Sequence, residues 1–335
     1  MKFDRWIGGA LVVVLTLASS IAVADEVFTG ADTLDVAPIT GDVGAALSRL
    51  RWKPQEFPID VVAASDDEHK AVIRFPSPVS TGDDLVDRVA LLWYQPTAEN
   101  PAEPRPAIVV VHESGSAMPV GKMFARSFAA RGVHAFLIQL PHYGLRRRDG
   151  VRPDGERFLI TMRQAIADVR RARDVVAQLP GVDPQRISLQ GTSLGGFVSA
   201  TVAGLDQGYN ATFIMLAGGD LAGLLQRGEK EAAQLRERLD KAGYSGDRLT
   251  ELLSEIEPLR LASRVAADRT WLYSAEQDRV VPIANAVAFK QAARLPDLHH
   301  IRMWGDHTST IVFVPGIIQH VIDHLPGTQP PADSP

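Results

Sequence analysis

Three stretches near the start of the chain, residues 59–63, 71–75 and 86–94, are rich in β-branched and aromatic residues. Turns containing Asp and Gly separate them, which predicts antiparallel strands. Residues 27–55 ahead of them read as an extended leader with a short helix around 43–50. After a proline-rich loop at 101–106 the pattern changes. Residues 107–111 are a continuous apolar run, the mark of a strand covered on both faces. A helix is expected at 121–131, a strand at 133–140, a long helix at 158–179 and a strand at 186–190. A helix at 194–205 follows, then strands at 212–216 and 270–274, a helix at 283–294 and a strand at 300–304. The last helix is expected over 310–325, with Pro315-Gly316 bending it. In the long helix Met162, Ile166, Val169, Val176 and Leu179 share one stripe, and Arg170, Arg171, Arg173 and Asp174 fall largely on the opposite, wet face. Alternating strands and helices predict βαβ units and an α/β fold with a mostly parallel sheet.

Residues 220–257 break this rhythm. Leu221, Leu224, Leu225, Leu235 and Leu239 recur at helical spacing, as do Leu249, Leu252, Leu253 and Ile256 after Gly243-Tyr244-Ser245-Gly246. The other positions are mostly charged, so the segment reads as an insertion of two amphipathic helical segments.

The N-terminus has a different character. Lys2 and Arg5 precede the uncharged apolar run 7–18, and Ala22-Val23-Ala24 precedes the charge at Asp25. That order reads as a secretory signal over residues 1–24, so the chain is expected to be secreted or periplasmic. The run is short of the roughly 20 residues that span a bilayer, so no stable anchor is expected after cleavage. Residues 25–105 then hold the leader and first strands, 106–325 the main domain, and 326–335, rich in proline, a disordered tail.

Composition narrows the function classes. A net charge of −5 without a basic stripe speaks against nucleic acid as a partner. The absence of cysteine rules out disulfides, a thiolate nucleophile and Cys-ligated metal. Oligomeric state is left open.

The motif that carries chemistry is Gly191-Thr192-Ser193-Leu194-Gly195-Gly196, directly after a strand and directly before a helix. A serine lifted out of so tight a turn needs small flanking residues and presents its hydroxyl at the carboxyl edge of the sheet. A glycine-rich packing turn would use the same letters. From residue 106 to 325 the chain resembles the α/β-hydrolase superfamily. The resemblance implies that fold, Ser193 as nucleophile, and an acid and a histidine in that order on later loops. Asp278, in Glu276-Gln277-Asp278-Arg279-Val280-Val281-Pro282, looks like the acid. His307, in Trp304-Gly305-Asp306-His307-Thr308, looks like the base. Glu276 and Asp306 are rival acids, with Asp278 preferred. Serine becomes nucleophilic only when a neutral imidazole takes its proton, and the imidazole needs a carboxylate to orient it.

Leu194 is the expected first oxyanion donor. His112-Glu113-Ser114-Gly115 is similar to the His-Glu loop of dienelactone hydrolases, with Ser114 the chosen second donor. Glu113 reads either as substrate-sensing or as pinning the loop together with His112. In this superfamily an insertion at 220–257 implies a cap, with Leu224 and Leu225 lining an acyl pocket; a surface hairpin is the alternative. Arg146, Arg147 and Arg148 read as an anion site or, preferred, as solvated or paired with Asp149 and Asp154. His134, His299 and His300 read as structural, and His320 and His324 as a solvated helix face rather than metal ligands. The expected reaction is hydrolysis of a small-molecule carboxylic ester without a cofactor or metal. Amide cleavage and a catalytically inactive binding protein are the alternatives.

Overall fold

The computed structural model describes residues 26–64, 68–96, 103–148, 150 and 155–326. The signal reading, Asp149, Asp154 and nearly all of the tail lie outside them. Among the described residues a ten-stranded sheet runs in the order β1-β2-β3-β4-β6-β5-β7-β8-β9-β10. Strands β1 (Glu26–Ala31), β2 (Glu56–Ala63), β3 (Ala71–Pro76) and β4 (Arg88–Tyr94) are antiparallel, and β4 pairs antiparallel with β6. Strands β5 (Arg105–Val111), β6 (His134–Gln139), β7 (Val182–Thr192), β8 (Thr212–Met215), β9 (Thr270–Ala275) and β10 (His300–Met303) are mutually parallel.

The helices are α1 (Gly41–Leu50), α2 (Asp84–Asp87), α3 (Pro119–Ala129), α4 (Gly155–Val176), α5 (Leu194–Leu205), α6 (Leu221–Arg227), α7 (Glu231–Lys241), α8 (Gly246–Ser254), α9 (Ile283–Ala293) and α10 (Val314–Asp323). Side chains alternate across a strand, and the two faces feed different cores. Ala107, Val109 and Val111 of β5 pack into the core beneath α1, α4, α5 and α9. Ile108 and Val110 join the one beneath α3 and α10. No helix among the described residues is long and apolar enough to cross a membrane.

Four expectations are corrected. The leader is not merely extended: its first residues form β1, the edge strand, whose weak alternation gave no signal. Pro315 does not bend the last helix but sits in its first turn, where a missing amide costs nothing. The insertion has three helices, because extended backbone at Gly228 and a φ of +50° at Lys230 interrupt the first leucine stripe.

The fourth concerns the polar face of α4, which is buried. Arg171 donates to both oxygens of Asp32, at 2.9 and 2.7 Å, and Arg170 reaches Asp206 and Asp174. Thr33 N–H donates to Asp174. The leader lies over this face, so a helix that reads amphipathic is covered on both sides. Arg146 is likewise buried, donating to Asp168 at 2.8 Å and to the carbonyls of Val86 and Gln139. Arg148 pairs with Asp83. Arg146 and Arg148 therefore pair with acids distant in sequence.

Candidate active site

Strand β7 delivers Ser193 at its end, and α5 begins one residue later. Ser193 has φ +52° and ψ −114°, a region that costs a non-glycine residue of order 1–3 kcal/mol and persists only where the surroundings enforce it. Here Ser193 N–H donates to Met215 O at 2.8 Å, and Gly195 N–H donates to His112 O at 3.1 Å. The neighbouring glycines are required by space. A Cβ on Gly195 would lie 2.2 Å from Val111 O, and one on Gly191 2.2 Å from Gly195 O. The turn thus wedges between the ends of β5 and β8.

Two later loops converge on this serine. His307 Nε2 lies 3.2 Å from Ser193 Oγ, and His307 Nδ1 lies 2.7 Å from Asp278 Oδ2. Asp278 is buried, and its Oδ1 accepts from the amides of Val280 and Val281 at 2.8 and 2.9 Å. The rival acids are engaged elsewhere. Asp306 accepts from the amides of Thr308 and Ser309, which hold its carboxyl below the ordinary range. Glu276 pairs with Arg302. A carboxylate fixing one imidazole nitrogen while the other faces a hydroxyl is an arrangement able to move a proton off that hydroxyl.

The loop after β5 stands beside the turn through the bond from Gly195 to His112. His112 is fully buried; its Nδ1–H donates to Glu113 O at 2.6 Å, and its Nε2 accepts from Leu140 N–H at 3.1 Å. Burial lowers its pKa to about 4, so the ring is neutral at ordinary pH. The Glu113 carboxylate accepts from the amides of Val120 and Gly121, opening α3. This corrects the substrate-sensing reading: both oxygens are taken up in capping a helix, and His112 and Glu113 pin the loop. Ser114, one residue on, is exposed. Leu194 opens α5, and the first amides of a helix lack a carbonyl partner within it.

Among solved structures, an acetyl xylan esterase from Paenibacillus sp. R4 superposes with a TM-score of 0.63 at 17% identity, over 85% of this chain and 92% of that one. Acetyl xylan esterase 1 from Thermoanaerobacterium sp. JW/SL YS485 gives 0.59 at 16% identity, over 83% and 92%. An acylaminoacyl peptidase from Pyrococcus horikoshii gives 0.54 at 14%, over 83% of this chain and 50% of that one. This is an α/β-hydrolase fold. No protein-family profile and no curated protein sequence matches the chain.

In this α/β-hydrolase fold the inserted helices are tied to the acid loop. Glu229 N–H donates to Arg279 O at 2.7 Å, and Glu257 accepts from the amides of Asp220 and Leu221 at the start of α6. Lys230 has nearly the same strained backbone as Ser193, φ +50° and ψ −114°, and its charge acts on Asp306. Nothing in the leucine pattern pointed to this turn between α6 and α7, whose position depends on backbone bonds. Leu225 is 2% exposed and Leu224 is also buried, both in the core shared with Leu221, Leu239, Leu252 and Leu253. Both therefore face the leucine core of the insertion, Leu225 sealed within it and Leu224 8% exposed.

Histidines away from the site are structural in their contacts. His134 accepts from Trp93 Nε1 at 3.1 Å, and His300 Nε2 meets Ser274 Oγ at 2.7 Å. His320 and His324 stack at 4.1 Å, with His320 against the Tyr273 hydroxyl, so their helix face is packed and not solvated. Among the described residues no group of three or more His, Asp or Glu could hold a metal.

Proposed function

We propose that this chain is a serine hydrolase that cleaves carboxylic esters through an acyl-enzyme. The observation that carries the reading is the unbroken run from Asp278 through His307 to Ser193, at 2.7 and 3.2 Å, on a serine held in a strained turn. Ser193 Oγ attacks the ester carbonyl carbon while His307 Nε2 takes its proton. The C–O bond to the alcohol then breaks, and His307 returns that proton to the departing oxygen. Water repeats the sequence on the acyl-enzyme and frees the acid. Asp278 holds His307 in the tautomer whose Nε2 can accept and stabilises its charged form. The amide of Leu194 and a donor from Ser114 hold the developing oxyanion.

Esters are preferred over amides because two of the structures that superpose on this chain are described as acetyl xylan esterases. Ser193→Ala should abolish labelling by a fluorophosphonate and lower ester turnover by about 10³-fold or more. Undiminished labelling in that variant would reduce the motif to a packing turn. Parallel ester and anilide substrates separate ester from amide cleavage.

The same reading has the chain exported, resting on Ala22-Val23-Ala24 before Asp25. Mass spectrometry of exported protein should begin at Asp25; retention of Met1 counts against it.

A further inference from the structure

Four large apolar side chains flanking His307 in the chain face solvent: Trp304 at 71%, Ile311 at 52%, Val312 at 71% and Phe313 at 37% exposure. Trp304 follows β10 directly, and the other three close the turn Ser309–Phe313. They are not core residues left over. From Val314 onward the apolar positions Val314, Ile317, Ile318 and Val321 turn into the core beneath α10. A run of outward apolar side chains is a solubility liability unless it contacts something. The loop between the two parts is tightly closed. Asp306 Oδ1 accepts from Thr308 and Ser309 at 2.9 and 2.8 Å, and Asp306 N–H donates to Ser309 Oγ at 2.8 Å. Gln277 N–H holds Gly305 O at 2.9 Å, tying the loop to that of Asp278. Trp304 and residues 311–313 thus flank, in the chain, a closed loop that carries His307.

What this surface meets follows from the direction of proton transfer, and the argument rests on the serine-hydrolase reading. As the C–O bond breaks, the acyl carbon stays on Ser193 Oγ and the alcohol oxygen takes the proton from His307 Nε2. The alcohol oxygen must therefore come within reach of His307 Nε2, on the segment that carries these side chains. We propose that Trp304, Ile311, Val312 and Phe313 form the alcohol subsite, and that the substrates are esters of bulky apolar alcohols, not of small or sugar-like ones.

The test holds the acyl group constant. Ethyl and 1-octyl acetate have leaving groups of similar basicity, so their kcat/KM ratio reads the subsite alone. The 1-octyl ester should be turned over at least tenfold more efficiently than the ethyl ester and an acetylated sugar. Trp304→Ser and Val312→Ser should each lower the octyl-to-ethyl ratio fivefold or more. Leu298→Ser, an equally exposed change before β10 at the far end of that strand, should leave the ratio where it is. A flat alcohol series in the wild type, or an unchanged ratio in both subsite variants, overturns the proposal. So does a sedimenting dimer that Val312→Ser dissociates, since the patch is then an interface between copies. If no ester is turned over and Ser193 resists fluorophosphonate, the hydrolase reading itself has failed. An active, labelled enzyme with a flat series fails only the subsite.

Discussion

His307 bonds Asp278, 29 positions away, at 2.7 Å, and not the aspartate beside it in the chain. Asp306 spends its carboxylate on the two amides that close the loop presenting His307. Two adjacent residues therefore divide the work: one lies between Asp278 and Ser193, and the other shapes the turn.

That division predicts a ranking. Asp278→Asn leaves the size of the side chain intact but offers His307 an amide, favouring the wrong tautomer, and ester turnover should fall on the order of 10⁴-fold. Asp306→Asn keeps an acceptor for Thr308 and Ser309 and should cost less than about tenfold, a far smaller loss than a triad member's. Comparing kcat/KM for the two variants, with circular dichroism to establish folding, checks the order.

The leader over α4 carries a stability prediction. Asp32 is the partner of a wholly buried guanidinium, that of Arg171. Asp32→Ala leaves that charge uncompensated, which costs about 3–5 kcal/mol where a buried pair is broken. Denaturant midpoints should fall accordingly. Asp32→Ala with Arg171→Met should recover much of the loss, because then neither charge is buried.

Much of this was legible in the chain. The period-two and continuous apolar runs predict nine of the strands, and the turn at Gly191–Gly196, Asp278 and His307 are local enough to read from their flanks. The polar face of α4 was not legible, because Arg170, Arg171 and Asp174 find their partners in the leader and at Asp206, contacts that no local period encodes. Glu113 failed for a related reason: a carboxylate beside the site is drawn to the orphan amides of Val120 and Gly121, and only the fold tells which way it turns. The stripe of Leu221, Leu224 and Leu225 was real, but a stripe says that a face is buried and not what buries it.

Acid should weaken the fold through its neutral histidines. Burial lowers His112 and His134 from the ordinary 6.5 to about 4. Between those values the unfolded chain binds protons that the native state refuses, so stability is full above 6.5 and declines as pH falls toward 4. For the fully buried His112 the loss amounts to about 3 kcal/mol at most, at 1.36 kcal/mol per unit. Urea midpoints measured from pH 7.5 to 4.5 should fall for the wild type and follow a shallower slope in His112→Asn, whatever that variant's absolute stability.

The inserted helices supply the last prediction. Leu225 is 2% exposed among the leucines of α7 and α8, and the segment is anchored at Glu257 and by the bond from Glu229 to Arg279. Truncating a core leucine removes its burial and leaves a cavity, together about 2–5 kcal/mol. Leu225→Ala should therefore lower stability by that amount. If the residue only packs the insertion, the preference among p-nitrophenyl acetate, butyrate and octanoate should keep the wild-type order under conditions where the variant is folded. A shift toward longer acyl chains in the stable, folded variant would mean that space opened at Leu225 joins the acyl pocket. The insertion would then line the site as well as pack beside it. Lys230 offers the matching control from the other side of the turn. It is exposed, and its strained backbone should relax in Lys230→Gly, so that change should raise stability slightly or leave it level, in contrast to the loss at Leu225.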